Sequence, residues 1–178
     1  MMSRTKKVAF SGMFIALSIV FTRFFSYMVV IGGAQTVRLS FGDLPLILSG
    51  IVLGPFYGGL TGALADLIGF PFNPQGSYFP GFTLTAALSG LLPGLMGILL
   101  KRKWSWMSLT IAISITMIIT SLILNTYWLK MMMGQAFAVL LPPRIIAVAF
   151  LMPVYIVVIK LILKHFHRMA VASPLTEQ

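Results

Sequence analysis

Long apolar runs separated by short polar breaks dominate this chain, and their lengths predict helices that cross a membrane. The first run predicts a helix over 8–31, stopped by Gly32-Gly33, and a polar passage, GGAQTVRLSFGD, follows it. Apolar residues resume over 44–54 and again over 57–70, with Gly54-Pro55 between them. The remaining runs predict helices over 81–100, 105–124 and 143–163. Continuous rather than alternating apolar residues disfavour a transmembrane β-barrel.

Segment 44–70 reads either as one long kinked helix or as two short ones, and charge separates the two. Arg4, Lys6 and Lys7 precede the first helix, Lys101, Arg102 and Lys103 follow the fourth, and Lys164, His165, His167 and Arg168 follow the last. With two helices over 44–70, all three basic groups fall on one side of the membrane, as the bias of cytoplasmic loops toward Lys and Arg requires. With one helix, the middle group lands on the opposite side. The pattern therefore predicts an all-α integral membrane protein, one domain over residues 1–178, built as a bundle of six transmembrane helices with both termini cytoplasmic.

Composition agrees. The 178 residues are 58% hydrophobic and 9% charged, with a mean hydropathy of +0.99, far more apolar than a soluble domain of this size needs. Thirteen Lys and Arg against three acids give a formal charge of +10, which membrane topology explains without a nucleic-acid partner. The absence of cysteine excludes disulfides and thiolate chemistry. The basic start MMSRTKKVAFSG leads into an apolar run longer than a signal peptide, with no convincing cleavage site, so it reads as a retained first helix.

Candidate chemistry gathers in two places. The loop FPFNPQGSYFPG, residues 70–81, holds three prolines, three phenylalanines and Tyr78. Proline fixes backbone shape and aromatic rings offer flat faces, so the loop reads as a lid over a planar solute; the alternative is an interfacial loop with aromatic anchors. Arg23, Arg38, Asp43, Asp66, Lys130 and Arg144 lie in or next to the half of the bundle away from Lys101–Lys103. Ionised side chains at membrane depth are costly, so each is a functional candidate or half of a helix-pairing ion pair.

Nothing resembles a catalytic constellation. Both histidines sit in the terminal tail, the serines lack a histidine partner at depth, and Gly54-Pro-Phe-Tyr-Gly-Gly lacks the Lys-Ser/Thr that closes a phosphate loop. The chain is expected to be no enzyme, to carry no metal and no cofactor of its own, and to bind a solute under another protein's power. Gly12 and Ala16, four apart on the first helix with Ala9 and Ser18 nearby, allow close helix approach, either to a partner or within the bundle.

The strings RLSFGDLPLILSGIVLGPFYGGLTGALADLIG, GSYFPGFTLTAALSGLLPG, NTYWL and LLPPRI resemble the substrate-binding S-components of energy-coupling factor vitamin transporters, and among them the folate-specific subunits. The resemblance spans roughly Val8 to Lys164, with residues 76–90 its most specific part. It implies a bacterial cell-membrane protein with a vitamin site near the outer face. It also implies assembly with a transmembrane coupling protein, EcfT, and two ABC-type ATPase subunits, EcfA and EcfA′, which use the ATP. In the family the first-helix small residues meet the coupling protein. Here Ala9, Gly12 and Ala16 hold those positions, with Gly12 replacing the more usual alanine. The family's subunit is thought to rotate within the membrane to carry its site inward.

Folate as transported ligand fits the residue types. Its pterin edge presents N–H donors that Asp66, or failing it Asp43, would accept. Its flat rings would meet Tyr78, Phe79, Phe82 and Trp128. Its two carboxylates would suit the planar forks of Arg23, Arg38 or Arg144. Asn73, Gln75, Asn125 and Tyr127 could supply further hydrogen bonds. Three arginines and Lys130 outweigh two aspartates, so the outer vestibule is expected to favour anions. Another anionic vitamin, or a membrane assembly subunit with no solute site, remain the competing readings.

Overall fold

In the computed structural model, described residues are 3–24, 26–31, 34–72, 78–100, 105–134 and 136–172, with backbone alone at 27–31, 34–39, 133 and 166–172. Helix α1 (Arg4–Arg23) starts at Ser3, whose hydroxyl accepts the Lys6 backbone N–H at 3.3 Å. Twenty residues rising ~1.5 Å each match a hydrocarbon core of ~30 Å, so the helix needs no residue beyond Arg23 to cross.

The expected first helix over 8–31 is therefore corrected at its end. Ser26–Ile31 forms strand β1, which pairs antiparallel with β2 (Ala34–Ser40), the register shifting between Val29 and Val30. Val29, Val30 and Ile31 are β-branched and stiff, and the opposing run carries Thr36 and Val37, so both favour extended backbone. Two such runs around Gly32-Gly33 are a hairpin signal that apolar length alone had hidden.

The division of 44–70 into two helices holds. Helix α2 (Asp43–Leu53) and α3 (Pro55–Phe72) meet at Gly54, whose φ of 94° is open mainly to glycine, and Pro55 then starts α3 with its fixed φ. Helix α4 (Pro80–Leu99) also begins on a proline, after an extended Phe79. Helices α5 (Trp106–Met117) and α6 (Asn125–Met133) join without a break through a π-helical segment, Ile118–Leu124. This rod outruns the expected 105–124 because Asn125-Thr126-Tyr127, polar enough to read as a loop, continues the helix until Gly134 at φ 67° ends it. Helix α7 (Phe137–Ala172) begins before the expected 143, with Pro142 and Pro143 inside its N-terminal turns. Counting α5–α6 as one, the described residues form six helical rods, with the hairpin as an addition.

Among the described residues, four rods are long and apolar enough to cross a membrane: α1, α4, the α5–α6 rod and α7. Helix α2, with 11 residues, spans only about 16 Å. Its flanks are apolar all round and almost every residue from Leu44 to Leu53 is buried, the pattern of a central helix surrounded by others. Two contact systems hold it. Phe14, Ile47, Ile51, Leu109, Ile113 and Tyr155 belong to one apolar core that joins α1, α2, α5 and α7. On the other side α2, α3 and α4 touch backbone to backbone. A Cβ on Gly90 would lie 2.5 Å from the carbonyl carbon of Gly58, and one on Gly58 would lie 2.6 Å from the Cα of Gly50.

Candidate functional site

Where α1 and α3 finish and α2, α4 and α7 begin, the bundle encloses a cavity of about 350 Å³, a size suited to a small organic molecule. Its wall draws on the last turns of α1, the hairpin exit at Ser40, the start of α2, Ala65 to Phe70 of α3, Tyr78 to Ala86, the π-helical rod from Met117 to Met132, and Arg144 to Tyr155 of α7.

Asp66 stands on one wall. The Thr83 hydroxyl of α4 donates to Asp66 Oδ2 at 2.6 Å, and Tyr78 Oη lies 2.9 Å from Thr83 Oγ1. Threonine has one hydroxyl proton, and the carboxylate takes it, so Tyr78 donates to Thr83. The Tyr78 ring meets the Phe70 ring edge-on at 5.2 Å, one helical turn beyond Asp66. Arg23 lies over Gly69, where a Cβ would come within 3.5 Å of Arg23 Nε, and the Asp66 charge attracts it.

Aromatic rings form the adjoining wall. Phe79 packs against Phe82 at 6.0 Å and against Trp128 at 5.5 Å. The Trp128 indole N–H donates to Thr85 Oγ1 at 3.1 Å, and the Thr85 hydroxyl donates to the Gly81 carbonyl at 3.0 Å. Gly81 lets the indole sit this close: a Cβ there would stand 2.5 Å from the Phe79 ring and 2.6 Å from Trp128.

Across the cavity lie the π-helical segment and α7. The Asn125 N–H reaches back five residues to the Thr120 carbonyl, widening the turn that contains Ser121. Arg144 donates through Nη1 to the Ser121 carbonyl at 3.0 Å. Arg144 Nε and Asn125 Oδ1, one donor and one acceptor, are buried with no partner among the described residues. Buried polar atoms are rarely left so, and these two line a cavity in which a ligand could satisfy them.

At the end of the cavity nearest the hairpin, Tyr155 donates to the Ser40 carbonyl at 2.8 Å and Ser18 donates to the Gly42 carbonyl at 2.9 Å. These bonds tie the hairpin exit to α7 and α1, beside Asp43 in the first turn of α2.

The candidates named from the sequence divide accordingly. Arg23, Asp43, Asp66, Tyr78, Phe79, Phe82, Asn125 and Arg144 line the cavity together. Trp128 forms a second layer behind Phe79, and Tyr127 is about half exposed with its ring against Trp128 at 5.2 Å. Arg38 pairs with Met28 in the hairpin register, and its side chain lies outside the described residues, as do Asn73 and Gln75 altogether. Lys130 is exposed. Among the described residues, the charged lining is two arginines and two aspartates, and the expected excess of positive charge counts Arg38, whose side chain lies outside them. Thr83, Ser121 and Tyr155 were not singled out from the sequence, and Phe70 only as part of the 70–81 loop; a hydroxyl in an apolar helix carries no local sign of which way it faces.

On the outside of α1, Ala9, Gly12 and Ala16 are exposed, and a Cβ on Gly12 would meet nothing within 4 Å. Ser11, Phe14 and Ser18 occupy the buried face of the same helix.

Comparison with known proteins gives consistent matches over most of the chain. Residues 6–163 match the family described as ECF transporter, substrate-specific component. The chain is 34% identical over 158 residues to the folate transporter FolT of Clostridium novyi (strain NT), covering 89% of this chain and 88% of that protein. It is 28% identical over 157 residues to the folate transporter FolT of Leuconostoc mesenteroides subsp. mesenteroides, covering 85% and 81%. Its fold matches a crystal structure of FolT bound with folic acid at a TM-score of 0.75 and 33% identity, covering 86% and 91% of the two chains.

Proposed function

Since this chain belongs to the family of ECF transporter substrate-specific components, a family of multi-pass membrane proteins, we propose that it binds folate in the cavity and yields it inward when coupled to an ATP-driven module. One observation carries the reading of the cavity as the binding site: Arg144 Nε and Asn125 Oδ1, both buried and without a partner among the described residues, line it across from the Asp66 wall. A pterin edge offers N–H donors suited to a carboxylate, its rings suit the Phe79 and Phe82 faces, and a glutamate carboxylate suits the free edge of a guanidinium. Arginines and aspartates together in the described wall fit a ligand that is a donor at one end and an anion at the other. The names of the relatives at 34% and 28% identity point the same way.

The deciding experiment is a titration of the purified subunit in detergent with folate, followed through tryptophan fluorescence. Of the three tryptophans, Trp128 lies one layer behind the cavity wall. Saturable one-to-one quenching that folate competes for better than other anionic vitamins supports the reading. Saturation by a different vitamin, with folate inert, transfers the site to that vitamin.

In this reading both termini face the cytoplasm, the cavity opens outward, and the chain performs no chemistry of its own. The partners are a transmembrane coupling protein and two ATPase subunits. Support for a docking face comes from α1, where small residues are exposed in a row. Gly12→Leu is expected to leave folate affinity unchanged while lowering co-purification with the coupling protein and folate uptake at least tenfold. Loss of folate binding in the isolated variant would instead place Gly12 in the fold.

A further inference from the structure

We propose that Thr83, fed by Tyr78, is a positioning residue for substrate: it holds one oxygen of the Asp66 carboxylate so that the other meets the donor edge of the ligand at a fixed angle. The proposal rests on the folate reading above and adds to it the groups that set the geometry of the pterin end.

The contact from Thr83 to Asp66 Oδ2, at 2.6 Å, is as short as a hydroxyl bond to an ionised carboxylate, about 2.5–2.7 Å. Tyr78, at 2.9 Å from Thr83, donates into the same oxygen that donates onward, and bonds in such a series polarise one another. The direction of both protons follows from the single proton of threonine, so the relay runs Tyr78 to Thr83 to Asp66.

The series also ties together two consecutive helices, α3 and α4. Asp66 and Phe70 lie one turn apart on α3, while Tyr78 and Thr83 flank the Pro80 start of α4. Tyr78 touches both α3 residues at once, Phe70 by its ring and Asp66 through Thr83. Arg23 attracts the carboxylate from α1. An aspartate on a helix face would otherwise sample several rotamers, and each would aim its oxygens differently. Held as it is, Asp66 is oriented before the ligand arrives, and affinity gains because little ordering remains. Thr83 thus bonds across to Asp66 of α3 rather than to a carbonyl of its own helix. Thr85, two residues on, bonds to its own helix at Gly81.

The test measures folate and 4-aminobenzoylglutamate, which lacks the pterin, on wild type, Thr83→Val, Thr83→Ser and Tyr78→Phe, with thermal melts alongside. Thr83→Val preserves shape and removes the proton that Asp66 receives; folate affinity is expected to fall about tenfold or more. Thr83→Ser restores the hydroxyl and is expected to bind within about threefold of wild type, with Tyr78→Phe in between. The pterin-free ligand is expected to bind all four proteins alike. Tyr78 is partly exposed, so its variant folds even if Thr83→Val does not. Wild-type affinity for folate in both Thr83→Val and Tyr78→Phe overturns the proposal while leaving folate as substrate. Equal loss of both ligands, or no rescue by serine, reduces Thr83 to a packing residue and also overturns it. Failure of wild type to bind folate removes the folate reading and the proposal together.

Discussion

A Gly90→Ala protein is expected to melt far below wild type and to elute largely aggregated from detergent columns, although one methyl group is the whole change. That methyl would sit 2.5 Å from the carbonyl carbon and 3.2 Å from the Cα of Gly58, and its oxygen is nearer still. Backbone atoms of a packed helix cannot rotate aside as a side-chain tip can, so α3 and α4 must separate. The cost is set at about 3 kcal/mol, the upper end for overpacking. Separation would also pull Asp66 from Thr83, since these residues face each other across the same two helices. Gly12→Ala is the matched control, because its methyl meets nothing within 4 Å and alanine is the better helix former by about 1 kcal/mol. Equal melting temperatures for the two variants would mean that α3 and α4 do not touch through Gly58 and Gly90.

The second large effect is expected at Arg144. Arg144→Met keeps much of the side-chain volume and removes both the charge and the unpartnered Nε. Folate affinity is expected to fall about a hundredfold, in line with truncating one member of a buried hydrogen-bonded charge pair. The fold is expected to survive, because a buried charge with no ionic partner among the described residues costs the unliganded protein its desolvation, which an apolar group of similar size avoids. The Ser121 carbonyl loses its guanidinium donor, a smaller cost of about 1 kcal/mol. Arg144→Lys separates charge from geometry: an ammonium cannot hold the Ser121 carbonyl with one nitrogen and a ligand with another on a fixed planar fork. A loss larger for folate than for pteroate, which lacks the glutamate, assigns Arg144 to the tail carboxylates. Equal losses move it to the ring system.

Much of this was legible from local pattern. Two helices over 44–70 were readable because Gly54-Pro55 allowed a break there and the three basic groups share one side of the membrane only if the chain crosses twice. The charged candidates were readable because an ionised group in an apolar run is expensive wherever it faces. The end of α1 was misjudged because Val, Ile and Met count as apolar in a helix and in a strand alike, and only the β-branched cluster before Gly32-Gly33 distinguished them. The α5–α6 rod was cut short for the opposite reason: Asn125 and Thr126 lowered local hydropathy within a helix that tertiary packing carries through to Met133.

Alone, then, the sequence determined a six-helix membrane protein without visible catalytic machinery, and a short list of polar residues, because hydropathy, helix breaking and the cost of burying charge act residue by residue. Only the tertiary structure decided which of them converge. Asp66 meets Thr83 across 17 residues, Arg144 meets the Ser121 carbonyl across 23, and Tyr155 meets Ser40 across 115. Those meetings depend on how closely glycine-lined helices approach, on the extra residue in a π-helical turn, and on the hairpin that brings Ser40 back over the bundle. None of these is a property of a single residue, and each appears only when whole helices have packed.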